Sequence, residues 1–357
     1  IAVIVMVVLA LPMFAMRSGF PDAGGRPEGN TTRIAYDLTT EGFGAGANGP
    51  FLVVVEMPNA NSIPAANALS QALAKTPGVA MASPVVPGTP AVSKDGTAAI
   101  IQVQPTTGPQ DEATSTLLEN LRANVIPAAV AGTGLTAFVG GSTAIVDDFS
   151  QVLSDALPLF LGVVVGLGFL VLVVLFRSLV IPLTAALTAL LSFGAAVGIT
   201  VFVFQWGYLT DIFGVTGTGP ILPFLPIMLF SILFGLSMDY QVFLVSRMQE
   251  EWARTEDNRA AVRRGLGGSG RVVAAAAAIM FSVFISFVFG DDTTIKMFGL
   301  SLAVAIALDA FIIRLILVPS LMTVLGRANW YLPKWLQKVL PKVHIESEEE
   351  AAEIADI

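Results

Sequence analysis

Two apolar stretches, residues 157–176 and 179–204, carry no charge and are separated only by Arg177 and Ser178. Each reaches the roughly 20 residues that a helix needs to cross about 30 Å of hydrocarbon. Two long apolar helices joined by a two-residue turn have to lie antiparallel and side by side. Three more runs follow the same rule. Residues 221–245 hold one acid, Asp239; 272–289 hold no charge; 297–325 hold Asp309 and Arg314. The chain also opens on an apolar run, residues 1–16, that falls short of a full span and lacks the positive start of a signal peptide. It reads as a truncated transmembrane helix, making six spans with this first one cut.

Composition agrees. Of 357 residues 54% are hydrophobic and 13% charged, against about 25% charged in soluble domains. Cysteine is absent, which excludes disulfide frameworks and thiolate chemistry. The single histidine, His344, leaves no histidine cluster for zinc and no Ser-His-Asp triad. No catalytic nucleophile–base pair, cofactor motif or metal-ligand set stands out, so an enzyme is not expected. A net charge of -8 argues against nucleic acid as a partner.

The short loops fix an orientation. Arg247, Arg254, Arg259, Arg263, Arg264 and Arg271 fall between two spans, and Arg327, Lys334, Lys338 and Lys342 follow the last. The positive-inside rule puts 246–271 and the tail 326–357 in the cytoplasm and residues 17–150 outside the cell membrane. The segment 246–264 is expected to be a surface helix capping the bundle, or a solvated connector. The tail begins Trp330-Tyr331-Leu332-Pro333-Lys334-Trp335, an interfacial composition, and ends in Glu346, Glu348, Glu349, Glu350 and Glu353, an acidic end expected to be disordered.

Residues 17–150 are rich in Gly, Pro, Asn and Thr. Strands are expected at Phe51–Glu56, Gly78–Ser83, Ala98–Gln104 and Leu135–Val139, and helices at Ile63–Thr76 and Glu112–Val125. The order βαββαβ is the ferredoxin-like plan. The fold class is therefore an α+β membrane protein: a transmembrane bundle whose helical part covers 151–325, with an extracytoplasmic domain inserted after the first span. Asp147, Asp148 and Asp155 lead into the second span on a helix expected to continue out of the membrane. Gly44-Ala45-Gly46-Ala47-Asn48-Gly49 fits a dinucleotide-binding pattern, but a strand follows it where a helix is required, so it reads as a turn. Gly162/Gly166 and Gly194/Gly198 permit close helix packing.

Ionisable groups within spans cost roughly 2.5–3.5 kcal/mol on insertion scales and mark function by default. Asp239 lies eight residues before Arg247, about 12 Å from that end of the helix. Gly235, one turn earlier, leaves room beside the carboxylate, and the Tyr240 hydroxyl is placed to orient or pass on a proton. A carboxyl that takes up and releases a proton is what a proton carrier requires; the plainer role is to pin two helices by hydrogen bonding. Asp309 also falls at mid-membrane and is expected to face the helix of Asp239. Arg314 follows five residues later, about 140° around a regular helix. It is therefore expected not to share a face with Asp309, and to pair with another helix or snorkel toward the cytoplasm.

The stretch GLSMDYQVFLVSRMQEEW (235–252) resembles the MMPL family of the resistance-nodulation-division (RND) superfamily. So do residues 31–55, 308–326 and 329–346, and the resemblance covers essentially the whole chain. It matches the C-terminal half of such transporters, which have twelve spans in two similar halves, each with an extracytoplasmic porter domain. The resemblance implies outward movement of lipids or other hydrophobic molecules driven by proton flow. By it Asp239 and Tyr240 fall on a proton-relay pair and Asp309 on the last-span acid, with Gly235 and Arg314 in support. Expected partners are protons, a hydrophobic or lipid cargo, membrane lipids and an N-terminal half of the same protein; a homo-oligomer stays open. A bacterial plasma membrane is the implied location. A lipid- or sterol-sensing module without transport, and a protein-export accessory, remain as alternatives.

Overall fold

The computed structural model describes residues 1–340; His344 and the acidic end expected at 346–353 lie outside the described residues. Among the described residues five helices are long and apolar enough to cross a membrane: Ser142–Phe176, Val180–Gln205, Leu225–Thr255, Asn258–Phe289 and Thr293–Trp330, with a shorter apolar helix at Ala2–Ala15. In chain order the helices are α1 (Ala2–Ala10), α2 (Thr31–Phe43), α3 (Ile63–Ala74), α4 (Glu112–Asn120), α5 (Ile126–Val130), α6 (Ser142–Phe176), α7 (Val180–Thr200), α8 (Thr210–Phe213), α9 (Leu225–Thr255), α10 (Asn258–Ser286), α11 (Thr293–Ala307), α12 (Val318–Leu325) and α13 (Lys334–Val339). A π-helical stretch, Leu308–Leu317, joins α11 to α12 without a break.

The bundle is built around α7 and the α11–α12 helix, whose apolar stretches are mostly buried, while α6 and α10 lie largely exposed at its margin. Phe193, Phe204 and Phe230 fill its middle. The glycine pairs divide. A Cβ at Gly198 would lie 2.0 Å from the Leu9 carbonyl oxygen, and one at Gly194 would lie 3.3 Å from Ala10 Cβ. These two glycines let α1 sit directly on α7. Gly162 and Gly166 face open space and make no such contact.

The segment between α1 and α6 forms one antiparallel sheet of β1 (Phe51–Glu56), β2 (Val79–Ala82), β3 (Ala98–Pro105) and β4 (Thr136–Gly140), in the order β2-β3-β1-β4. The strand ends differ by a residue or two from those expected. Alternation decides the faces: in β1 Phe51, Val53 and Val55 are buried and Leu52, Val54 and Glu56 are not. The buried face packs on α3 and α4 through Leu69, Leu73, Leu117 and Leu118. The helix expected over Glu112–Val125 opens into a π turn at Leu121–Val125 before Pro127. Helix α2 was not expected. Asn30 caps it by accepting from Thr32 N at 3.0 Å, and Tyr36 donates to Asp22 Oδ2 at 2.8 Å. Burial first, then the Asp22 carboxylate, push the Tyr36 phenol above its ordinary range. The glycine-rich stretch at 44–49 is a 3-10 turn, as a turn reading requires.

Helix α6 is longer than a span requires. Its 35 residues span about 52 Å at 1.5 Å per residue, well beyond a hydrocarbon core of about 30 Å. Arg122 ties its outer part to the sheet, donating to Asp148 Oδ2 and to the Val139 carbonyl, both at 2.9 Å.

The surface helix or solvated connector expected at 246–264 is corrected. The fourth span runs on through its charged end to Thr255, and α10 begins at Asn258. The reversal takes two residues. Glu256 adopts φ +48°, and the Asp257 carboxylate accepts from Arg259 N and Ala260 N at 2.9 and 3.2 Å. A strong N-cap placed directly after a left-handed residue starts a new helix at once. The arginines therefore decorate the ends of two spanning helices.

Replacing Gly198 with valine should push α1 off α7 and cost about 1–3 kcal/mol, as overpacking does. Gly166→Ala should be neutral. Thermal unfolding of the two detergent-solubilised variants checks the contrast.

Candidate functional site

The polarity of the bundle interior is concentrated where α9 crosses the π stretch. Arg314 is 2% exposed and, among the described residues, the largest fully buried side chain. Its Nε donates to Asp309 Oδ2 at 2.8 Å and its Nη1 to Gln241 Oε1 at 3.1 Å. Its Nη2 reaches the Ser237 carbonyl and hydroxyl oxygens. Ser237 Oγ donates to Asp309 Oδ1 at 3.1 Å, which closes the network. A buried guanidinium with its donors engaged and a carboxylate beside it is the condition under which an ion pair survives away from water.

The expectation that Asp309 and Arg314 would lie on different faces is overturned. It assumed 100° per residue, whereas Leu308–Leu317 is wound as a π-helix, in which the i→i+5 pairing brings residues five apart onto one side. Pro319 gives the cause. It has no N–H to donate and its ring crowds the carbonyl four residues back, so the ladder loosens just ahead of it. The π turn at Leu121–Val125 likewise ends two residues before a proline, Pro127. Arg314 does pair with another helix as well, through Ser237 and Gln241, and it does not snorkel outward.

Asp239 is placed elsewhere. Ser237 and Gln241, one turn apart, face the ion pair. Asp239 stands two residues from each, about 200° around α9, and is exposed on the outer side of the bundle. Gly235, one turn from Asp239, is exposed too, and a Cβ there would meet nothing within 4 Å. Tyr240 is half-buried on the flank between the two faces. The structure thus brings Asp309 to the helix of Asp239, on the side facing away from Asp239. Helix α9 is a wall between a sealed ion pair and an open carboxylate. Ser237 and Gln241 were missed in the sequence; their i,i+4 spacing, opposite in phase to Gly235 and Asp239, was the available signal.

The MMPL family profile matches residues 26–343. The chain belongs to the MMPL family. It is 43% identical over 353 residues to membrane protein YdfJ of Bacillus subtilis, covering 99% of this chain and 48% of that protein. It is 35% identical over 362 residues to the mycolic acid-containing lipids exporter MmpL11 of Mycolicibacterium smegmatis, 100% of this chain and 37% of that protein. Over 210 residues, 59% of this chain and 21% of the relative, it is 35% identical to the trehalose monomycolate exporter MmpL3 of the same species. This MMPL chain therefore spans about half the length of YdfJ and rather more than a third of MmpL11. The family and the five long apolar helices together make it a multi-pass membrane protein.

Removing one partner of the buried pair should be severe. Asp309→Asn or Arg314→Met alone should cost about 3–5 kcal/mol, because each strands a buried charge. The double variant Asp309→Leu/Arg314→Met should be less destabilised than either single variant. Denaturant unfolding in detergent measures this cycle.

Proposed function

We propose that this chain is the second half of a proton-driven exporter of lipids or other hydrophobic molecules in a bacterial plasma membrane. One observation carries the reading: a carboxylate lies exposed at the middle of a spanning helix. Asp239 is fourteen residues, about 21 Å, from the start of α9 and sixteen, about 24 Å, from its end. Left against lipid, such a group costs roughly 2.5–3.5 kcal/mol. The cost is removed if a second half of the protein covers the face of Gly235 and Asp239, with a narrow wet path beside the glycine. Relatives about two to three times as long as this chain, among them lipid exporters, support that arrangement.

In this mechanism Asp239 takes up and gives off the proton, with Tyr240 orienting it at the edge of the wall. Each charge moved through the potential supplies about 2.3 kcal/mol per 100 mV. Asp309 senses the same event from the sealed side, since any turn of α9 that carries Asp239 also carries Ser237 and Gln241 across Arg314. Residues 17–150 are assigned as a ferredoxin-like porter domain outside the cell, with the strand order β2-β3-β1-β4 in support. Residues 246–271 and the tail are assigned to the cytoplasm, and α6 transmits the motion outward. Protons, a hydrophobic cargo and the N-terminal half are the partners on this reading.

Asp239→Asn in the full-length protein should abolish export while leaving insertion and thermal stability unchanged. Export at the wild-type rate by that variant, or export that continues undiminished after the proton gradient is dissipated, would remove the proposal.

A further inference from the structure

The ends of α6, α9 and α12 and the starts of α7 and α10 meet at the side of the bundle remote from the sheet. Helix ends leave backbone donors and acceptors without partners, and here segment 326–340 is joined to all five. Asn329 is fully buried. Its Nδ2 donates to the Met322 and Gly326 carbonyls of α12 and its C-terminal cap at 2.6 and 2.7 Å. Oxygen acceptors on that side fix the orientation of the amide. Its own carbonyl accepts from Ser178 Oγ at 2.5 Å. That hydroxyl accepts in turn from Val180 N and Ile181 N at 3.1 and 3.3 Å, free donors at the start of α7.

Asn258, the first residue of α10, donates to the same Met322 carbonyl at 2.9 Å and accepts from Trp330 Nε1 at 3.0 Å. Trp330 stacks on Trp252 near the end of α9, with centroids 5.5 Å apart and rings within 6° of parallel. Arg177, just past α6, donates to the Gln337 and Leu340 carbonyls at 3.1 and 3.2 Å. Leu179 N donates to the Tyr331 carbonyl at 3.3 Å.

We infer that Asn329 is a positioning residue for transport: it holds the five helix ends in a clasp that stays closed through the cycle and serves as a fixed fulcrum. This rests on the proton-driven reading proposed above. The helix of Asp239 and the helix of Arg314 are tied at this end through one buried segment; at the other end α9 meets α11 through Phe224 on Phe298, centroids 5.8 Å apart, and through the Lys296 bonds to the loop before α9. With the clasp closed, α9 cannot slide past α12, and what remains to it is a tilt or turn about the clasped end.

The test uses the full-length protein freed of any cysteine beyond this cysteine-less chain, carrying Leu179→Cys and Tyr331→Cys. The Leu179 N–H and the Tyr331 carbonyl are 3.3 Å apart, so the two residues lie side by side in the closed clasp, and formation of the disulfide is itself verified before export is read. Export with the bond oxidised should stay within about twofold of export with it reduced. A fall of about tenfold on oxidation, reversed by reductant, would mean that the clasp has to open and would overturn the inference. Separately, Asn329→Ala keeps the main-chain acceptor of Ser178 but removes the side-chain bonds to the Met322 and Gly326 carbonyls that hold that acceptor in place; segment 326–340 should loosen, raising hydrogen exchange at the Val180 and Ile181 amides about tenfold and leaving the sheet unchanged. Unchanged exchange at those amides would also overturn it. If Asn329→Ala does not insert, the cysteine pair still decides. Exchange is read without transport, so a failure of the proton-driven reading in the Asp239 variant is distinguishable from a failure of the clasp.

Discussion

A guanidinium buried between two helices of the bundle sets the terms for everything around it. Arg314 has to find acceptors or it costs several kcal/mol. The acceptors it finds are on two helices at once: Asp309 on its own and Ser237 and Gln241 on α9. Those bonds fix the rotation of α9, and the rotation in turn decides that Gly235 and Asp239 look outward. The exposed carboxylate is thus a consequence of the sealed one. A regular helix at Leu308–Leu317 would put Asp309 out of reach of Arg314, so the network depends on the wider winding that Pro319 induces.

Much of this was legible in the sequence, for reasons that can be stated. Spans and their order follow from uninterrupted apolar length, and the sheet follows from period-two alternation at Phe51–Glu56 and Ala98–Pro105. Asp239, Asp309 and Arg314 stood out because charge within a span is expensive. The pairing of Asp309 with Arg314 was hidden, since a helical wheel carries the assumption of 3.6 residues per turn. A proline two residues past a run is a weak local sign that this assumption fails. The two-residue reversal at Glu256–Asp257 was also hidden: the surrounding charges resemble a surface segment, and only the cap geometry shows that two long helices meet there. Helix α2 has few apolar residues, and Ile34, Leu38 and Phe43 stand exposed, so no core-facing stripe marked it.

The two ends of the bundle are mechanically unlike. At one end, side chains from a short segment join five helix ends through buried amides, a hydroxyl and an indole pair. At the other, α6 passes unbroken into the outer sheet, braced by Arg122 and Asp148. Lys296 also binds the Phe213 and Gly214 carbonyls there, anchoring the loop before α9 to α11. In the proposed mechanism, a bundle clasped at one end and continuous with the sheet at the other converts a turn of α9 into displacement of the sheet domain.

The orientation of α9 is the central claim, and the partner of Arg314 reports it directly. Site-resolved nitrogen–carbon dipolar couplings in the membrane-reconstituted, full-length protein would measure that partner. Coupling between the Arg314 guanidinium and the Asp309 carboxyl is expected to survive Asp239→Asn and to vanish in Asp309→Asn. Coupling that instead survives Asp309→Asn and is lost in Asp239→Asn would place Asp239 at the sealed centre and contradict this orientation.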